Sequence, residues 1–179
     1  MRQDIQRLIK HVNRKDWWHV TPADPKAYEK PGKFLASSFA DAEFYGRPDD
    51  VPERVTIASP VVGDNNTIER KLIGRVESHP DIRVPKRFAL DAKLRRAALR
   101  KGYDSIVLMS ESAFQRFKKD GAIPRSIELN IVDLRCLRII GSTTSRSWLD
   151  RAISRPREHG NIIVFSRIGL YNHAHPNDQ

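Results

Sequence analysis

Apolar positions along this chain change rhythm several times, and each change predicts an element. Ile5, Leu8, Ile9 and Val12 fall on one helical face with charges between them, so residues 1–16 read as an amphipathic helix. Trp17 to Val20 then reads as a short strand, closed by the loop TPADPKAYEKPG with its three prolines and Gly32. Lys33 to Ser37 predicts a second short strand. Ser38 followed by Asp41 has the form of a capping box opening a helix through Tyr45, which Gly46 stops. Arg54 to Ser59 is strand-like, and Pro60 is expected to break it. Asn66 or Thr67 caps a short helix, IERKLI, ended by Gly74, and residues 75–85 look irregular.

From Lys86 to Lys101 the period is helical again, with Leu90, Leu94 and Ala97 on the buried face and Asp91 placed to support Arg95. Gly102 ends that helix. Asp104 to Met109 predicts a strand, SESAFQRFKKDG a helix, and Ile127 to Val132 a further strand. In the last, Ile127, Leu129 and Ile131 share one face while Ser126, Glu128 and Asn130 share the other. A strand at Leu137 to Ile140, a helix around Trp148 to Ile153 and a strand from Asn161 to Phe165 follow. The tail GLYNHAHPNDQ reads as loose. This irregular order is not a βαβ series and predicts an α+β domain. No GxGxxG follows a strand and no GxxxxGK[ST] occurs, so Rossmann and P-loop folds are disfavoured.

Composition narrows the class. At 179 residues, 39% apolar and 30% charged, the chain suits one domain with a real core. No apolar run approaches the roughly 18 residues of a membrane span, and the charged N-terminus is not a signal peptide. A cytoplasmic protein is the expectation. Cys136 is the only cysteine, which excludes an internal disulfide and a Cys-built zinc site; in LRCLRII it reads as a small core residue. His173 and His175 have chelating spacing but lack a third ligand, so no metal is predicted. Serine hydrolysis lacks its GxSxG elbow.

Charge adds a positive statement. Thirty-two Lys and Arg against 22 Asp and Glu leave +10, and Arg outnumbers Lys by 21 to 11. Such an excess favours nucleic acid, an acidic protein surface or a phosphate-rich ligand. The 86–101 helix alone holds seven Lys or Arg against one Asp. It reads either as a solvated face over a Leu/Ala stripe or as a docking surface.

Three places combine unusual residues. In Trp17-Trp18-His19-Val20-Thr21, a His and a Thr two apart on a strand share a face. GKFLASSFADAEFYG sets Ser37 and Ser38 at the entry of a helix carrying Tyr45. SIELNIVD starts a strand with Glu128 opposite its apolar residues, where a carboxylate needs a partner or a task. Each has a plain structural reading as well: a satisfied histidine, a helix cap, a core tyrosine, a solvated strand residue.

Their order changes the picture. His19-Val20-Thr21, then Gly32 with Ala42 and Tyr45-Gly46, then Gly102-Tyr103-Asp104-Ser105-Ile106, then Glu128-Leu129-Asn130-Ile131-Val132-Asp133 resembles the ADP-ribosyltransferase fold. The likeness is to the His-Tyr-Glu branch, shared by poly(ADP-ribose) polymerases and many bacterial and phage transferases. It covers roughly residues 17–140 and implies a split β-sandwich of short strands with flanking helices. Residues 1–16 would then be an appended helix, and 141–179 a helix, strand and loose tail that either complete the core or serve a partner.

The resemblance implies NAD as co-substrate, release of nicotinamide, and ADP-ribose transfer to a macromolecule by a toxin or effector, sometimes delivered into a target cell. Cleaving the nicotinamide–ribose bond develops positive charge on the sugar, as in glycoside hydrolysis, and Glu128 is the matching carboxylate. His19 would bond the adenosine ribose, the Val20 backbone the nicotinamide amide, and Tyr45 would stack on the nicotinamide. Thr21 belongs to the same motif, and Ser37 or Ser38 would offer a hydroxyl. The sequence departs from the pattern in Asn130, at the strand's centre, and in a long stretch before Glu128. Glu158, ahead of a second closing-type strand, is the alternative catalytic carboxylate. Ser126 stands where arginine-modifying transferases carry Glu or Gln, so nothing points to arginine as acceptor. Two other readings stay open: an inactive module of the same fold using its basic face, and a tRNA 2′-phosphotransferase-like enzyme. An acidic antitoxin or inhibitor would suit the charge.

Overall fold

The computed structural model describes residues 2–20, 32–43, 46–79 and 81–139. The expected helix at 148–153, the strand at 161–165, Glu158 and the two tail histidines lie outside the described residues. Helix α1 spans Arg2–Arg14 and buries Leu8, Ile9 and Val12, as their spacing requires. The Trp17 indole donates to the Val12 carbonyl at 3.0 Å and closes its end. Asn13 exchanges two hydrogen bonds with the Ile57 backbone, at 2.9 and 2.8 Å, and so pins the helix to a distant segment.

Among the described residues six strands form two sheets. Strands β1 (Lys33–Ala36), β3 (Pro60–Gly63), β4 (Ser105–Leu108) and β5 (Glu128–Ile131) make a sheet in the order β1-β5-β4-β3. Strands β2 (Glu53–Val55) and β6 (Leu137–Ile139) pair antiparallel as a second sheet. The Trp17-Trp18 segment joins the two: Trp17 bridges Glu53 of the small sheet and Trp18 bridges Ala36 of the large one. The strand expected there is therefore reduced to two single bridges. Adjacent residues bond opposite neighbours, as in a central strand, but neither pairing continues beyond one residue.

Among the helices, α2 (Phe39–Glu43) is the short one after β1, and its cap forms as expected, the Asp41 amide donating to Ser38 Oγ at 3.0 Å. Helix α3 (Asn65–Ile73) is capped by Asp64, whose carboxylate accepts from the Thr67 amide at 2.7 Å, not by Asn66 or Thr67. Gly74 ends it at φ +80°. Helix α4 runs Val84–Arg100, starting two residues before the expected Lys86 because Pro85 fits its first turn. Helix α5 (Glu111–Asp120) lies between Ser110 and Gly121.

Two expectations of local structure change here. Pro60 starts a strand and does not end one: β3 is at the sheet edge and all four of its residues are buried. It pairs parallel with β4, so β3-α3-α4-β4 is one parallel crossover inside an otherwise antiparallel sheet. The molecule is α+β, with a small mixed sheet between two helical layers.

Alternation along the strands divides the interior. Val107 of β4 and Leu129 and Ile131 of β5 join Leu8, Val12, Phe114 and Phe117 under α1 and α5, together with Val55 and Ile57 next to the small sheet. Ile106, Leu108 and Val61 face the other way, against Ile68 and Leu72 of α3 and Leu90, Leu94 and Ala97 of α4. Because both faces are covered, Asn130, on the face opposite Leu129 and Ile131, is 5% exposed. Cys136 is half-buried and packs against the first core.

Candidate functional site

The antiparallel register builds one row from three segments. Trp18 bridges Ala36, and Ala36 lies opposite Glu128. With neighbouring strands about 4.8 Å apart, the Trp18 and Glu128 backbones stand roughly 10 Å from each other. The row carries Trp18, Ala36 and Glu128; His19 follows Trp18, and Ser37 and Ser38 follow Ala36, one and two residues further along their segments. Helices α3 and α4 pack over β3 and β4, while Phe34, Ala36 and Glu128, toward the β1 side of the sheet, stay half-buried.

His19 is held in one state. Its Nδ1 lies 2.9 Å from the Phe34 carbonyl, which only accepts, so Nδ1 carries the proton and Nε2 is the acceptor nitrogen. Burial, and then the Lys33 charge, push its pKa below the ordinary value, against the opposing pull of the Phe34 hydrogen bond, Asp49 and Glu53. The ring is neutral at pH 7. Its own carbonyl accepts from the Asp49 amide at 2.8 Å, which fixes the backbone as well.

The serines separate by role. Ser37 is 2% exposed, and its hydroxyl accepts from the Ile127 amide at 3.2 Å and donates to Asp41 Oδ2 at 2.9 Å. It ties α2 to the residue before Glu128. Ser38 caps α2 and is half-buried. Ser126 is exposed, with its hydroxyl 3.4 Å from the same Asp41 oxygen. Val20 is buried, and its side chain meets Gly46: a Cβ there would stand 3.0 Å from Val20 Cγ1. Thr21 and Tyr45 lie outside the described residues, as does the alternative carboxylate Glu158.

Several residues that sequence reasoning passed over belong to this neighbourhood. Trp18 and Phe39 meet edge to face at 5.0 Å, and Phe39 is 41% exposed, so an aromatic ledge borders the Glu128 row. Lys33 forms an ion pair with Glu53, a carboxylate 6% exposed whose Oε2 has no hydrogen-bond partner. Asn130 Oδ1 is likewise buried and unpartnered, and it lies under Gly32. Asn within an apolar strand was the visible signal for that residue; nothing in sequence pairs Lys33 with Glu53.

Asp104, in the GYDS motif, works on the backbone. Its Oδ2 accepts from the Ala58 and Ser59 amides at 2.6 and 2.9 Å, and its carbonyl accepts from Val132 and Asp133 at 3.1 and 3.0 Å. It fixes the entry to β3 and the exit from β5. A separate cavity of about 470 Å³ opens where α3 and α5 begin, lined by Asp64, Asn65, Ser110, Glu111, Ser112 and Gln115 among others. None of the residues singled out from sequence lines it. Among the described residues no group of three His, Cys, Asp or Glu has metal-binding geometry, and no helix is long and apolar enough to cross a membrane.

Comparison with family models, curated proteins and solved structures finds no match.

Proposed function

We propose that this protein is an NAD-dependent mono-ADP-ribosyltransferase of the His-Tyr-Glu type acting on a macromolecular target. The observation that carries the reading is the Trp18–Ala36–Glu128 row, with a neutral His19 locked beside it. Glu128 would face the ribose as the C–N bond to nicotinamide breaks. Its negative charge stabilises the developing oxocarbenium, a role in which one electrostatic group is worth about 10²–10³ in rate. Nicotinamide leaves with the bonding pair, the acceptor's nucleophile attacks the sugar carbon, and the acceptor gives up its proton. His19 Nε2 accepts a hydrogen bond from a ribose hydroxyl, and Tyr45 is the ring for the nicotinamide face.

The fold attached to this proposal is a split β-sandwich. What the described residues support is the α+β class, with a small mixed sheet of short strands and several helices; the specific sandwich is not supported by them. The test is incubation with NAD labelled on the adenosine half plus a cell lysate, measuring free nicotinamide and label on macromolecules. Transfer that falls about 10²–10³-fold in Glu128→Gln is the expected result. Full activity in Glu128→Gln with collapse in Glu158→Gln moves the carboxylate to 158. Nicotinamide without transfer means an NAD glycohydrolase, and neither product from folded protein removes the enzymatic reading.

A further inference from the structure

From Arg70 to Val76 and from Ala92 to Tyr103 there are eight Lys and Arg and no Asp or Glu. The fold brings these two segments together, because Lys101 Nζ donates to the Lys71 carbonyl at 3.0 Å and so joins the ends of α3 and α4. Two of the eight cations are ion-paired and two donate to backbone carbonyls, Arg95 and the Lys101 just named. Arg75 and Lys93 share Glu77, each at 2.6 Å, and Arg95 donates to the Val132 carbonyl at 3.3 Å. Arg70, Lys71, Arg96, Arg100 and Lys101 are exposed and form no ion pair among the described residues. Lys71 lies 5.3 Å from the centre of the Tyr103 ring. Helix C-termini attract cations on their own account, which explains one or two of the five but not the gathering of all five at a corner whose acid, Glu77, is already shared by Arg75 and Lys93.

We propose that the joined ends of α3 and α4 are a docking surface for the phosphate backbone of a nucleic acid. Phosphates need only positioned cations, and Arg and Lys on two adjacent helix ends supply them without reading sequence. A protein partner would require apolar anchors in a packed patch; the exposed large apolar side chains of these two segments are Val76 and Leu99, and the Tyr103 ring is already covered by Lys71. The corner lies toward the Ser105 end of β4, whereas Glu128 pairs with Leu108 at the opposite end. The surface is therefore separate from the candidate catalytic row, and the inference stands whether or not the chain transfers ADP-ribose.

The experiment is fluorescence anisotropy of the full chain with a labelled 20-nucleotide single-stranded DNA and the matching RNA, from 25 to 200 mM salt (about two to three steps per doubling). Binding is expected to weaken steeply with salt, by roughly 0.7 in log–log slope for each phosphate contact. Replacing Lys71, Arg96, Arg100 and Lys101 by Ala should weaken binding at least about tenfold and flatten the slope by roughly 2–3. The same number of charges removed from the opposite layer, at Lys10, Arg14, Lys118 and Lys119, should cost less than about threefold. Should the fourfold variant fail to fold, Arg96→Ala with Arg100→Ala asks the same question at two exposed positions, and Lys71→Arg with Lys101→Arg should keep full binding. Equal losses from the two fourfold variants would overturn the proposal, and so would no binding by the wild type at 25 mM salt. Displacement by polyglutamate at equal charge would assign the surface to an acidic protein instead.

Discussion

The residues of the candidate site are set by burial more than by their own chemistry. His19 gives this a sign. Its folded pKa lies below the ordinary 6.5, so the unfolded chain takes up the proton first, and stability rises with pH from the folded value up to about 6.5. Urea unfolding at pH 5 to 8 should show stability lost on acidification, with a smaller loss in His19→Gln. His11, also lowered by burial and then by Lys15 but on an exposed helix face, should contribute much less. An unchanged slope in His19→Gln would mean the ring is not desolvated. Gly32 is the second residue-scale case. It has φ +91°, and an added Cβ would stand 2.3 Å from Asn130 Oδ1 and 2.8 Å from the Ile131 carbonyl. Gly32→Ala should destabilise by about 1–3 kcal/mol in chemical denaturation. Asn130→Ala should rescue it only in part, because the carbonyl clash remains.

At the scale of elements, the short strands depend on side chains that hold their ends. Asp104 accepts from two amides ahead of β3 while its carbonyl receives two amides after β5, so one residue sets the offset of two strands. Asp104→Ala leaves the Ala58 and Ser59 amides unanswered and should cost about 1–3 kcal/mol, read by thermal unfolding. Asp104→Asn should cost less, since its amide oxygen still accepts. The helices were the most legible elements because a 3.6-residue stripe of Leu8, Ile9 and Val12, or of Leu90, Leu94 and Ala97, survives any tertiary context. Strand β3 was not legible. The four residues of PVVG carry no period, and Pro60 reads as a stop unless its place at a sheet edge is known.

At the scale of the molecule, the sheet separates two cores that share no side chain among the described residues. Ile127 belongs to the α1/α5 side and Ile68 to the α3 side. Ile127→Val and Ile68→Val should each cost about 0.5–1.5 kcal/mol. In the double variant the losses should add to within about 0.5 kcal/mol. A clear excess over additivity, measured by urea unfolding, would mean that the sheet transmits strain from one layer to the other. The basic corner belongs to this scale too, since neither helix alone concentrates the five unpaired cations.

The amino-acid sequence by itself determined the helical stripes, the glycine stops at 74, 102 and 121, the α+β class and the positive charge. These rest on local backbone preference and on period, which need no distant partner. It also set His19, Ser37, Ser38 and Glu128 in an order that suggested one site. Only the tertiary structure decided that Trp17 and Trp18 bond different sheets, that β3 runs parallel to β4, and that Asn130 is buried. It alone separated Ser37, which locks Ile127, from Ser38, which caps a helix, and it alone paired Lys33 with Glu53. Those facts depend on which strands become neighbours. Neighbour choice is fixed by covering two apolar faces at once, a condition no short window of sequence contains.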